Sequence, residues 1–311
     1  MMASYLVTGG CGFIGSHLCD ELIRTGHTVR ILDNLSTGSL ENKAELAELI
    51  VGDIRDAEAV NAAVTGIDGC FHLAAVASVE QANRHWVDTH RVNLTGTITL
   101  FDASRAASQR GRALPVVYAS SAAIYGDQGS GAIAETAHPM PLSAYGADKL
   151  GCELHARVAS TVHGVPTTGL RFFNVYGPRQ DPRSPYSGVI SIFCDRITGG
   201  QDVQIFGDGL QTRDFVYVGD VASALIRAMD RICRTPKVYN VCTGRAASVR
   251  DLAETIAKVC GTRPRLEYRD ARSGEIRHSL GDPGAARREL GFTASVDLEA
   301  GLTRTLESIR K

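Results

Sequence analysis

Short apolar runs rich in β-branched residues, at positions 5–8, 28–32, 46–51, 69–73, 115–120 and 166–173, alternate with longer stretches whose apolar residues recur at helical spacing, at 12–25, 57–64, 93–107 and 145–163. Runs without in–out alternation belong to strands covered on both faces. Strands separated by helices are joined as crossovers, so this half of the chain predicts a parallel sheet with helices on either side. Gly26 stands where the first helix should stop, because a residue without a Cβ ends a helix at little steric cost.

Beyond residue 173 the rhythm breaks. Gly177, Pro178, Pro182 and Pro185 mark a loop, and an Asp208-Gly209 turn lies among shorter mixed elements. The apolar run at 215–218 and the helical pattern at 221–231 read as a return to the first domain, which the chain leaves again near Thr243. The expected architecture is α/β. A doubly wound parallel sheet occupies residues 1–175 and is rejoined by 213–243, with a smaller C-terminal α/β substrate-binding lobe over 176–212 and 244–311.

Composition narrows the chemistry. A chain of 311 residues can bury a large core and still build a second lobe. The 33 basic and 34 acidic residues nearly cancel, so no overall field draws in nucleic acid or an anionic membrane, and any phosphate must be held locally. The 8 cysteines are scattered, without a Cys-x-x-Cys pair or histidines at metal spacing. Neither a metal site nor a disulfide framework is expected, and free thiols suit a reducing cytoplasm. No apolar run approaches the roughly 20 residues that span a bilayer, and strand character begins at residue 5, leaving no room for a signal peptide. A cytoplasmic location is the expectation.

Two constellations carry chemistry. Gly10-Cys11-Gly12-Phe13-Ile14-Gly15 follows a predicted strand and opens a predicted helix, the context in which a glycine turn cradles a dinucleotide pyrophosphate on backbone N–H groups and the helix dipole. Asp33 ends the second strand, 21 residues beyond Gly12; a carboxylate there accepts from the adenosine ribose hydroxyls and repels a 2′-phosphate, favouring NAD. Asp53, after the third strand, is placed either to meet the adenine or to face solvent. The second constellation is Tyr145 and Lys149, four residues apart at the start of a helical pattern, with Ser120 and Ser121 closing an upstream strand. On one helix face the ammonium lies near the phenol and stabilises its ionised form, which turns a weak acid into a usable base.

Other residues read more plainly. His72 follows a strand and is expected to bond locally; Trp86, the only tryptophan, is expected to pack; Arg105, Arg110 and Arg112 are expected to form a solvated helix end.

Taken together, Thr8 to Gly15, Asp33-Asn34, His72-Leu73-Ala74-Ala75, Ser120-Ser121, Tyr125-Gly126, Tyr145 to Lys149 and Arg171-Phe172-Phe173-Asn174 resemble the extended short-chain dehydrogenase/reductase family, in its nucleotide-sugar 4-epimerase branch. The likeness runs from Tyr5 to about Gly291. It implies a Rossmann-type domain that holds NAD through Gly9, Gly12, Phe13, Ile14, Asp33, Asn34, Ser36, Thr37, Gly38, Asp53, Ile54, Leu73, Ala74, Ala75, Tyr145, Lys149 and Phe172. It implies that Tyr145, Lys149 and Ser121 oxidise a UDP-hexose to a transient 4-ketose, which turns over and is reduced on its other face. For the UDP-sugar it implies contacts from Ser121, Ala122, Asn174, Gly188, Val189, Gln204, Phe206, Arg213, Arg272, Glu275 and Ser279, with the arginines on the pyrophosphate.

Ser279 falls where glucose-only relatives of this type carry a bulky Tyr, so room for an N-acetyl group is expected. Related dehydratases and decarboxylases need a further acid or base beside the serine, where this chain has Ala122 and Ala123. A uronate 4-epimerase stays open as an alternative, and a non-catalytic NAD sensor is the alternative from another class. The resemblance also implies a homodimer through the helices near 93–107 and 145–163.

Overall fold

The chain lays down β1 (Ser4–Thr8), β2 (Thr28–Asp33), β3 (Glu48–Val51), β4 (Gly69–His72), β5 (Val116–Ser121) and β6 (Thr167–Phe172), followed by β7 (Asn174–Tyr176), β8 (Val203–Phe206), β9 (Thr212–Tyr217), β10 (Lys237–Val241), β11 (Ala246–Ser248), β12 (Leu266–Arg269) and β13 (His278–Ser279). The helices are α1 (Phe13–Arg24), α2 (Ala57–Val64), α3 (Val79–Arg84), α4 (Trp86–His90), α5 (Gly96–Gln109), α6 (Ala144–His163), α7 (Val189–Thr198), α8 (Val218–Asp230), α9 (Val249–Val259) and α10 (Leu298–Ile309). These come from a computed structural model, which describes residues 2–109, 114–181, 188–271 and 276–309.

Seven parallel strands form the main sheet in the order β3-β2-β1-β4-β5-β6-β10. The order reverses between β1 and β4, so the crevice at their carboxyl ends is the ligand-binding switch point of a doubly wound fold. Every residue of β4 and β6 is buried, whereas the edge strand β3 is half open, as covering helices require. On one face Leu18, Cys19 and Leu22 of α1 and Val221, Leu225 and Ala228 of α8 pack on Val7, Ile31, Phe71 and Val117. On the other, α2, α5 and α6 cover Leu6, Leu32, Cys70, Val116 and Tyr118 with Val60, Leu100, Phe101, Cys152 and Ala156. The Ser143 hydroxyl caps α6 by accepting from the Gly146 N–H at 3.1 Å, and Gly164, at φ 67°, ends it.

A third core holds the smaller lobe, where Ile190 and Phe193 of α7, Leu252 and Ile256 of α9, and Leu302 and Leu306 of α10 enclose Val203, Ile205 and Phe215. In its sheet β9 pairs with β7 and β13 in parallel and with β11 antiparallel.

The structure moves several boundaries. The third strand begins at Glu48 rather than 46, and residues 91–95 form a π-turn, so α5 starts at Gly96. Gly26 lies one residue past the cap, Thr25, at φ 87°. The 215–218 run pairs within the smaller sheet, so the chain re-enters the main domain with α8 and β10 rather than with β9. Trp86 opens α4 and is 65% exposed, so it is not a packing residue. Arg105 pairs with Asp102 one turn earlier, at 2.5 Å, while Arg110 and Arg112 lie outside the described residues. All 8 cysteines are free thiols.

Candidate active site

The glycine turn at the end of β1 is built by close backbone approach. Gly9 adopts φ 73°, and a Cβ on it would lie 2.8 Å from the Ala74 nitrogen; a Cβ on Gly15 would lie 2.1 Å from the Gly9 carbonyl oxygen. Only hydrogen fits at either position. Gly12 caps α1 without a side chain, which leaves the N–H groups of the first helical turn, at Phe13 and Ile14, directed at whatever anion lies over the turn. Cys11 in this turn is buried, and burial pushes its thiol up to about 11, so it adds no negative charge beside a phosphate.

Asp33 has two tasks. Its Oδ2 accepts from the Cys11 N–H of the glycine turn at 2.9 Å and its Oδ1 from the Leu35 N–H at 2.8 Å, so each oxygen spends one acceptor site on the backbone and keeps another. The Ser36, Thr37 and Gly38 loop closes beside it, with the ideal Cβ position of Gly38 3.1 Å from Oδ2. Asp53 is partly exposed and tied to its neighbours. Its bidentate pair with Arg55 (2.8 and 2.8 Å) and a bond from Asn34 Nδ2 (2.9 Å) hold its carboxyl well below the usual range. The next residue, Ile54, is buried beneath Gly96.

Across the switch point, His72 at the end of β4 is buried, and burial, with a smaller contribution from Lys149, pushes its imidazole down to about 3. Its bonds have one consistent direction. The Thr97 hydroxyl donates to the Asn93 carbonyl (2.5 Å), so it accepts from His72 Nε2 (2.9 Å); His72 Nδ1 then accepts from the Thr8 hydroxyl (2.7 Å), whose oxygen receives the Leu73 and Ala74 N–H groups (3.2 and 3.2 Å). The Asn93 side chain clasps the backbone of Val76 through both its amide atoms, at 2.8 and 3.1 Å. The π-turn thus holds the Leu73-Ala74-Ala75 segment from behind.

The second constellation converges at the same end of the sheet. Lys149 is 4% exposed; its Nζ donates to the Ala119 carbonyl at 2.9 Å and lies 5.9 Å from the centre of the Tyr145 ring. The first turn of α6 sits directly on the turn that follows β5, since a Cβ on Gly146 would be 2.5 Å from the Ala123 carbonyl oxygen. Ser121 caps that turn by accepting from the Ala123 N–H (3.1 Å), which leaves the hydroxyl proton to donate elsewhere. Ala122 follows it and Phe172 is its register partner on β6.

The sugar-side residues come from separate elements. Asn174 opens β7 just past β6 and pairs with Phe215; Arg213 on β9 pairs with Ser279 on β13. Gly188 caps α7 ahead of Val189. Gln204 and Phe206 share the half-buried face of β8, opposite the buried Val203 and Ile205, and Gln211 Nε2 ties the Phe206 carbonyl to the start of β9 at 2.8 Å. Phe206 is therefore outside the lobe core. Arg272 and Glu275 lie outside the described residues.

Sequence reasoning passed over a buried network beneath the serines. The Ser120 hydroxyl donates to Glu153 (2.5 Å), Glu153 pairs bidentately with Arg171 (2.9 and 2.7 Å), Arg171 Nη1 donates to the Tyr125 hydroxyl (2.8 Å), and that hydroxyl donates to Asn240 Oδ1 (2.7 Å). Glu153 lies one turn after Lys149 on the same face, and Arg171 is a charge inside a fully buried strand. Those two signals were available; Asn240 offered none.

Among the described residues no helix is long and apolar enough to cross a membrane. The model of the NAD dependent epimerase/dehydratase family matches residues 5–242. A putative UDP-glucose 4-epimerase of Methanocaldococcus jannaschii is 38% identical over 306 residues, covering 97% of this chain and 96% of the relative. The crystal structure of a Thermotoga maritima UDP-glucose 4-epimerase with UDP-glucose superposes with a TM-score of 0.93 at 37% identity, over 99% of this chain and 98% of that one. A UDP-N-acetylglucosamine 4-epimerase from Methanobrevibacter ruminantium, in complex with UDP-N-acetylmuramic acid, gives 0.93 at 35%, over 99% and 98%. A Thermus thermophilus UDP-glucose 4-epimerase in complex with NAD gives 0.90 at 35%, over 99% of each chain.

Proposed function

Because the chain belongs to the NAD dependent epimerase/dehydratase family, within the extended short-chain dehydrogenases/reductases, we propose that it interconverts the C4 epimers of a UDP-hexose, UDP-glucose with UDP-galactose and, through the space beside Ser279, the N-acetylated pair. The observation that carries this reading is the convergence of Ser121, Tyr145 and Lys149 at the carboxyl end of β5, on the same edge as the glycine turn and the uncapped first turn of α1.

The residues present fit NAD: a glycine turn packed too tightly for any Cβ, uncapped N–H groups at α1, and a carboxylate at Asp33 with acceptor sites to spare. When bound, the dinucleotide supplies a hydride acceptor that gives the hydride back. Tyr145 takes the proton of the sugar 4-hydroxyl and later returns it, with the Lys149 ammonium beside it to stabilise its ionised form before the proton arrives and after it leaves. Ser121, its oxygen already accepting from Ala123, donates to the same sugar oxygen and fixes it against Tyr145. Ala122 and Ala123 add no second acid or base, which favours epimerisation over loss of water or carbon dioxide. Arg213 and Asn174, with Arg272 and Glu275, hold the nucleotide while the hexose turns. Leu154, Val158 and Val162, spaced four residues apart on α6 and 58%, 45% and 68% exposed, support a homodimer through that helix.

Incubating the purified protein with each UDP-hexose and each UDP-N-acetylhexosamine, and reading the axial and equatorial C4 protons by NMR, tests the assignment. Both epimers should form from either one. Tyr145→Phe should lower kcat by about 10³, within the usual range for a positioned acid–base group, while the protein still binds UDP; undiminished turnover would remove Tyr145 from the proton-transfer role.

A further inference from the structure

The Asn240 side chain joins three separate segments near the site. It lies on the edge strand β10, in register with Arg171, which is itself in register with Ser120, so the three form a polar row across β5, β6 and β10. Asn240 is fully buried and its amide atoms are all engaged: Oδ1 accepts from the Tyr125 hydroxyl (2.7 Å), and Nδ2 donates to the carbonyls of Ile133 (2.8 Å) and Asp282 (3.4 Å). Its backbone N–H donates to Glu135 Oε1 at 2.7 Å. Tyr125 ends the turn that Ser121 begins. Ile133 in turn forms a single parallel bridge with Gly281, through Ile133 N–H to Leu280 (2.8 Å) and Asp282 N–H to Ile133 (2.9 Å), two residues beyond Ser279.

One bridge and a two-residue strand cannot hold a wall by themselves, since isolated short pairings are marginal in water. What surrounds them here is a separate small core, Ile124, Tyr125, Ile133, Phe173 and Cys242, wrapped about Asn240. Gly281 packs so closely that a Cβ on it would lie 2.5 Å from the Cys242 sulfur. Building on the epimerase reading, we propose that Asn240 is a positioning residue that pins the Ser121 turn to the Ser279 segment, so that the chamber between them keeps its shape while a loosely held ketose rotates. A sugar that must present both faces has few fixed bonds of its own, so its retention falls to the walls. In the first half-reaction the C4–H bond gives up hydride to the dinucleotide and O4 gives its proton to Tyr145. A ketose that escapes leaves both behind, and that copy of the enzyme stops.

The test compares the wild type with Tyr125→Phe, which removes one hydroxyl at constant volume, and Asn240→Asp, which sets an acceptor against the carbonyls of Ile133 and Asp282. Two quantities are read: amide hydrogen exchange over 126–142 and 278–282, and free ketose trapped as its oxime with methoxyamine and counted by mass spectrometry per epimerised sugar. Each variant takes away two buried hydrogen bonds, so exchange in both segments, with β1 and β4 unchanged, and oxime per turnover should each rise by at least about tenfold, while KM for the UDP-sugar stays near wild type. Segments that loosen without leakage, or leakage that stays at the wild-type ratio, would overturn the proposal; should Asn240→Asp fail to fold, Tyr125→Phe decides alone. A wild type that makes no epimer overturns the preceding reading, whereas a wild type that epimerises beside variants that do not leak overturns this one only.

Discussion

The cofactor half and the sugar half of this molecule are built on opposite plans. Around the glycine turn the candidate groups are backbone N–H groups and one carboxylate, contributed by residues at the ends of β1 and β2 and locked by contacts as close as that of Gly15 against Gly9. Around Ser279 the candidate groups are side chains from β7, β8, β9, β13 and α7, brought together by strands of two to six residues. A further carboxylate, Asp214, stitches those strands by accepting from Thr243 N–H (2.8 Å), the Thr243 hydroxyl (2.7 Å), Gly244 N–H (2.8 Å) and Gly281 N–H (3.4 Å). A ligand gripped by backbone cannot be re-specified without moving backbone. One gripped by side chains can be, which suits a fixed cofactor and a variable sugar.

The sharpest attempt to break this contrast adds one methyl group to the cofactor half. In Gly15→Ala the new Cβ would fall 2.1 Å from a backbone oxygen. Calorimetric titration should find NAD binding weaker by about 3 kcal/mol, on the order of a hundredfold. Wild-type affinity in that variant would show that the turn yields, and the two halves would then not differ in kind.

An intermediate effect separates the halves by their response to acid. An unfolded imidazole titrates near 6.5, whereas burial holds that of His72 down to about 3. Below pH 6.5 the unfolded chain therefore takes up a proton that the native chain does not. Stability should fall as pH drops from 6.5 toward 3 and be indifferent to this group above that window, the loss reaching about 2 kcal/mol at pH 5. Denaturant unfolding of His72→Gln at pH 7.5 and pH 5 should show a flatter profile than the wild type; an equal slope would place the acid sensitivity in another group.

The smallest change is expected from the largest added group. Ser279→Tyr introduces a whole ring into the sugar half, yet it should lower kcat/KM for N-acetylated UDP-sugars only about tenfold relative to UDP-glucose, leaving nucleotide binding intact. Equal losses on both sugar classes would refute the steric account of substrate range.

The same division decides what could be read from the sequence. The glycine turn, Asp33 and the Tyr145–Lys149 pair were legible because each is local: a fixed spacing along the chain already implies the geometry. The main sheet was legible for a similar reason, since β4 and β6 are buried on both faces and show it as unbroken apolar runs. The residues proposed for the sugar side came only from family resemblance, because β13 has two residues and no pattern of its own. The polar row of Ser120, Arg171 and Asn240 depends on sheet register, which spacing along the chain does not encode. Trp86 misled for a related reason: a large aromatic residue suggests a core, but on α4 it faces outward.

The double engagement of Asp33 sets a limit on redesign. Since the carboxylate that would turn away a phosphorylated ribose also braces the glycine turn through Cys11, exchanging it to admit the phosphorylated coenzyme would slacken that turn in the same stroke. Selectivity and grip are thereby welded into one side chain, and an engineer would have to furnish a substitute brace before altering the preference.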